Sequence, residues 1–110
     1  MRTVIKSDLI RICSQYNVAF TSHFYLRCNA LRNTPKINLK HINILLRKFM
    51  SSYADGISTV KDQQMWKVID HKQEIAMLLS VEERNPTLVS IRRGGKINEI
   101  YQHVNNIIYI

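Results

Sequence analysis

The stretch that decides the fold is Glu74-Ile75-Ala76-Met77-Leu78-Leu79-Ser80-Val81. Its five successive apolar side chains predict a central strand covered on both faces. Reading outward, Asp70-His71-Lys72 is a turn, and Met65-Trp66-Lys67-Val68-Ile69 before it is a strand. Glu82 to Pro86 is a polar turn, followed by a third strand, Thr87-Leu88-Val89-Ser90-Ile91. Gly94-Gly95 makes another turn. Ile97 to Ile110 then holds one more strand, or a short helix and a strand. Residues 51–64, with Ser51-Ser52 and Asp55-Gly56, read as the loop that leads into this meander.

Upstream the periodicity changes from two to that of a helix. Ser7 is a candidate cap for a first helix carrying Leu9, Ile10, Cys13 and Tyr16, stopping near Asn17. Thr21 or Ser22 caps a second, running to about Arg32 with Phe24, Leu26, Cys28 and Leu31 as its apolar set. Asn33-Thr34-Pro35 breaks it. Asn38 caps the third, and Ile37 and Ile42 flank that cap as a hydrophobic staple. Ile42, Leu45, Leu46 and Phe49 then line one face. Helices first and strands afterwards predict an α+β fold, in which N-terminal helices pack on a C-terminal antiparallel meander of three to four strands. At 110 residues and 45% hydrophobic content the chain predicts a single domain, 1–110, with a helical half (1–50) and a β half (65–110).

The charge follows the same division. Residues 1–50 hold nine Lys/Arg against Asp8 alone, whereas residues 51–110 hold seven of each sign. The whole formal charge of +8 therefore belongs to the helical half. A field concentrated in this way attracts phosphate backbones or an acidic protein. No apolar run approaches the roughly 18 residues of a membrane span, and no apolar leader follows Met1. A cytoplasmic protein with no membrane partner is expected. Cys13 and Cys28 do not have metal-ligand spacing and are expected to be buried, unpaired thiols.

Three basic groups carry candidate chemistry. His23 and Arg27 stand one helical turn apart, so they share a face. An imidazole can move a proton near neutral pH, and a guanidinium can hold a phosphate in two-point contact. Together they supply what a metal-free ribonuclease requires; equally, His23 can be a side chain that packs near a helix start. Arg32, Lys36, Lys40, Arg47 and Lys48 extend the basic surface as candidate nucleic-acid contacts. Arg92 and Arg93 form a third group at the end of a strand, where adjacent residues point to opposite faces. His41, in the first turn of the third helix, where a cation opposes the dipole, and His71, in a turn, are accessory candidates. No histidines have metal-ligand spacing beside a carboxylate, so neither a metal nor another cofactor is expected.

The segment Thr21 to Phe49, with His-x-x-x-Arg on one helix, a polar break and a second amphipathic helix, resembles the opening of small proteins related to the RelE-like ribonuclease toxins. It is most similar to the phage endoribonucleases that cleave early messages. There too a helical pair precedes a meander like Trp66–Asp70, Glu74–Val81 and Thr87–Arg92. The resemblance implies an acid/base role for His23 and places Arg27 beside it. The sequence departs from that pattern at Arg47, near where a second catalytic histidine is expected. The combined expectation is a protein that binds nucleic acid, RNA above all, with metal-independent endoribonuclease chemistry. The alternative is a non-enzymatic phage or mobile-element factor that grips nucleic acid or an acidic host protein.

Overall fold

A computed structural model describes residues 4–56, 64–83, 85–95, 97, 101–104 and 106–110. It shows an α+β molecule, three helices on a five-stranded mixed sheet. The elements are α1 (Lys6–Gln15), β1 (Ala19–Phe20), α2 (Ser22–Cys28), α3 (Leu39–Gly56), β2 (Gln64–Asp70), β3 (Ile75–Glu82), β4 (Asn85–Arg93) and β5 (Asn106–Tyr109). The strand order is β1-β4-β3-β2-β5. No helix among the described residues is long and apolar enough to cross a membrane.

The predicted meander forms the centre of this sheet: β2 pairs antiparallel with β3, and β3 with β4. The sheet is larger than expected and mixed: β5, the strand expected after Ile97, joins β2 in parallel, and an unexpected short strand, β1, joins β4 in parallel. The run Ile75 to Leu79 is buried throughout. Its alternate residues Ile75, Met77 and Leu79 enter the main core with Phe24, Leu46 and Phe49 of the helices. Ala76 faces the other side, in a smaller cluster with Ile69 and Ile97, on which Tyr101 packs. Both faces of the central strand are therefore covered, the larger by helices and the smaller by the chain after β4.

The pairing of β3 with β4 slips between Leu78 and Leu79, which leaves Val89 as an extra residue in β4. A bulge of this kind reverses the facing of everything beyond it. It lets Leu88 and Ile91, three positions apart, enter the same core. It also sends Arg93 to the helical side and Arg92 to the other.

The third helix forms as its sequence predicts at the start. Ile37 and Ile42 are both buried, closing the staple. The Asn38 side-chain oxygen accepts from the His41 backbone N–H at 3.1 Å, and His41 Nδ1 accepts from the Asn38 N–H at 3.2 Å. This is a reciprocal capping box with His in the place usually taken by Glu. At its other end α3 runs through Gly56, beyond the expected end; Met50 continues the apolar stripe against the core, and serines do not stop a helix so supported. Residues 57–63 of the expected loop lie outside the described residues.

The first helix begins at Lys6 with Ile5 at its cap position and no side-chain cap, so Ser7 sits in the first turn instead. Leu9 and Cys13 are its buried positions, while Ile10 is exposed. The Tyr16 hydroxyl donates to Asn43 Oδ1 at 3.1 Å and ties this helix to α3. The exposed Arg11–Asp8 pair at 3.3 Å adds little to stability. The second helix stops at Cys28, four residues short of the expected end, and Leu26 and Leu31 are exposed rather than part of an apolar face. Cys13 and Cys28 are buried and free, as expected. Burial pushes the Cys13 thiol up to about 11 and the Cys28 thiol to about 12, the neighbouring Cys13 adding to the latter.

Candidate functional site

The position of the His23–Arg27 pair is set by the β4 bulge. Thr21 follows β1, and its backbone N–H donates to the Leu88 carbonyl at 3.0 Å. Its hydroxyl donates to the carbonyl of the bulged Val89 at 3.3 Å and accepts from the Phe24 N–H at 3.0 Å. One side chain thus caps α2 and fastens its start to the sheet. Phe24 and Cys28, also one turn apart, face the core. Full burial of a Phe stabilises the fold by about 1.5–3 kcal/mol, which fixes the rotation of this short helix. His23 and Arg27 are left on a more open face, His23 exposed and Arg27 half-buried. Arg27 Nε donates to His23 Nε2 at 3.2 Å.

The far end of α2 is fixed by Asn33, which the sequence suggests only as part of a helix break. Asn33 is 1% exposed. Its amide nitrogen donates to the Arg27 carbonyl at 2.7 Å, and its oxygen accepts from the Arg93 N–H at 2.8 Å. By occupying a carbonyl that a longer helix would use, it ends α2 and joins it to β4. The Arg93 guanidinium completes the clamp, donating to the Lys36 carbonyl at 3.2 Å and to Gln73 Oε1 at 3.1 Å. Of the two adjacent arginines, Arg93 therefore holds the α2–α3 connection.

Arg92 lies on the other face of the sheet, within electrostatic reach of Arg32. The Arg32 guanidinium is held below its ordinary value first by the slight desolvation it suffers, then by the positive charges of Arg27 and Arg92, with Tyr101 acting in the opposite sense. A guanidinium remains charged at neutral pH all the same. Arg32, in the loop after α2, is thus the common electrostatic neighbour of Arg27 on α2 and Arg92 on β4. Among the described residues none of them has a carboxylate within ion-pair distance. Gly95 takes a left-handed backbone, φ +71°, beside Arg92; a Cβ there would only touch the guanidinium, at 3.9 Å.

Tyr101 is the residue that sequence reasoning missed. It has φ +59°, in the left-handed region that a tyrosine rarely adopts. Its ring packs on the smaller cluster, and its carbonyl accepts from the buried Lys67 ammonium at 3.4 Å. A lysine at 2% exposure in a strand is the one sequence-level signal, since a buried ammonium needs a partner.

The remaining candidates lie elsewhere. Lys40, Arg47 and Lys48 are exposed on α3, with Ile44 on the same side. No described hydrogen bond joins them to His23 or Arg27. Lys36 is exposed in the α2–α3 connection. His41 belongs to the α3 cap, and burial first, then the charge of Arg93, lowers its pKa, with Lys40 adding and Asp70 opposing. His71 stacks on Tyr109 of β5, ring centroids 5.4 Å apart, at the sheet edge opposite α2. Neither accessory histidine joins His23. No three His, Cys, Asp or Glu side chains among the described residues come together as a metal ion would require. A cavity of about 420 Å³ lies between Cys13, Asn17, Ala19, Asn85 and Thr87, with none of the candidate side chains in its lining.

The chain matches no protein-family model, and it finds no match among curated proteins or solved structures. The class that the coordinates define is thus an α+β domain with a hydrogen-bonded His–Arg pair and a further arginine, Arg32, as electrostatic neighbour of Arg27.

Proposed function

We propose that this protein binds RNA through its basic helical half, and that His23 and Arg27 form the centre of a metal-independent endoribonuclease acting in the cytoplasm. The observation that carries the reading is the His23–Arg27 pair with Arg32 as the electrostatic neighbour of Arg27. Two guanidinium groups with no carboxylate at ion-pair distance among the described residues suit a phosphodiester, whose non-bridging oxygens take bidentate guanidinium contacts. In the reaction that this set can promote, His23 Nε2 takes the proton of a ribose 2′-hydroxyl. The 2′-oxygen bonds to phosphorus as the bond to the departing 5′-oxygen breaks, and that oxygen takes a proton from water. The products are a 2′,3′-cyclic phosphate and a 5′-hydroxyl. The arginines stabilise the charge that builds on the phosphoryl oxygens. The resemblance to phage message-cleaving ribonucleases supports the same roles.

Incubation with a mixed-sequence RNA pool in excess chelator tests this reading. Cyclic-phosphate ends are expected, with a rate that falls about 10²–10⁴-fold in His23→Ala while RNA affinity persists. An intact pool with retained binding removes the enzyme and leaves a binding factor. A specific observation favours that second reading: in the free protein Nε2 is already engaged by Arg27.

A further inference from the structure

The same engagement carries a mechanism. Arg27 Nε–H donates to His23 Nε2 at 3.2 Å, so the imidazole carries its own proton on Nδ1. A lone pair occupied in this way cannot take a proton from a 2′-hydroxyl. Yet the Nε–H edge of a guanidinium is also one arm of the fork that holds phosphate oxygens. Imidazole and phosphate therefore compete for one N–H. The phosphate has the advantage, because it is an anion that takes a bidentate contact from the guanidinium, whereas the imidazole offers one uncharged acceptor. Arg32, whose charge lies near that of Arg27, adds to that advantage by drawing an anion to the same place.

The backbone is arranged so that only the side chain has to move. The Arg27 carbonyl is pinned by Asn33 at 2.7 Å, and Thr21 fastens the start of the helix. His23 is exposed, so its ring is accessible once the guanidinium turns away. We infer that the His23–Arg27 pair is a latch opened by substrate: a phosphodiester arriving at Arg27 draws its Nε–H to itself and frees His23 Nε2. The base is thereby exposed only when a phosphate is in place. This rests on the proposal that the site takes RNA.

The test follows the His23 ring nitrogens by long-range 15N–1H NMR in the full chain, in mildly alkaline buffer. The probe is a 2′-O-methyl RNA, which has the phosphates but no nucleophile. In the free wild-type protein the ring is expected in its Nδ1–H tautomer, with Nε2 shifted as a hydrogen-bond acceptor. Saturation with the probe is expected to move it to the pattern shown by Arg27→Met without RNA. Arg27→Lys, which keeps the charge and lacks the Nε–H, gives the same pattern and serves if Arg27→Met folds poorly. Binding of the probe with an unchanged His23 signature overturns the latch and leaves the RNA reading standing. So does a variant whose free His23 spectrum equals that of the free wild type. A probe that does not bind at low salt overturns the RNA reading and the latch with it.

Discussion

Replacing Asn33 with alanine isolates the joint on which the candidate site depends. The side chain is buried and makes two short hydrogen bonds, one to the Arg27 carbonyl and one from the Arg93 N–H. Alanine leaves the Arg93 N–H without its partner and takes one of two hydrogen bonds from the Arg27 carbonyl, which keeps that from the Ala30 N–H at 3.2 Å. An orphaned donor costs about 1–3 kcal/mol, so the variant is expected to lose about that much unfolding free energy. For a domain of this size that corresponds to a fall in Tm of roughly 4–12 °C. Urea denaturation followed by circular dichroism measures the loss. Amide exchange of Arg93 locates it, since that N–H is protected in the wild type by Asn33. A variant within about 0.5 kcal/mol of the wild type, or one whose Arg93 amide stays protected, refutes the account of Asn33 as the link between α2 and β4.

Further outcomes follow from the cap, the basic surface and the thiols. His41 titrates near 6.5 in the unfolded chain and lower in the folded one, so within that window the unfolded state binds more protons. Stability is therefore full above the window and falls as pH drops through it; urea midpoints at about pH 7.5 and 5.5 should show this fall, diminished in His41→Glu, which keeps a capping-box acceptor. Changing Lys40, Arg47 and Lys48 together to Gln should lower the dependence of log K for single-stranded RNA on log salt by about 2, measured by fluorescence anisotropy; an unchanged slope removes these residues from the interface. Cys13 and Cys28, raised to about 11 and about 12, should resist a thiol reagent in mildly alkaline buffer until denaturant is added, whereas rapid labelling of the native protein would contradict their burial.

What could be read in the sequence was whatever is local. The α3 start is legible because the Ile37–Ile42 staple and the Asn38 cap lie within six residues of one another. The central strand is legible because five apolar residues leave no polar face, and Thr21 because a hydroxyl before an apolar turn has one common use. The edges were legible only in part. A strand after Ile97 was expected, but not its parallel pairing with β2, and β1, two residues long, exists only through a parallel partner far away in the chain. The Val89 bulge has no marker residue, yet it decides which of Arg92 and Arg93 faces the helices. Of the candidate site, the His23–Arg27 spacing was visible as one helical turn. The convergence of Arg32, Arg92 and Tyr101 was not, because it depends on the Asn33 joint and on a left-handed backbone at Tyr101 that its side chain does not favour.

The parallel attachment of β1 has a bearing on how the chain is made. Strands β2, β3 and β4 are joined by short turns and can assemble from neighbours. Thr21 meets Val89 across 68 residues, and closures of that length come late in folding. His23 and Arg27 leave the ribosome well before β4, the strand that seats them. During synthesis α2 has no β4 to dock on, and an isolated seven-residue helix does not hold its shape in water. On the proposed reading, a nascent chain cannot cut RNA until β4 has been made.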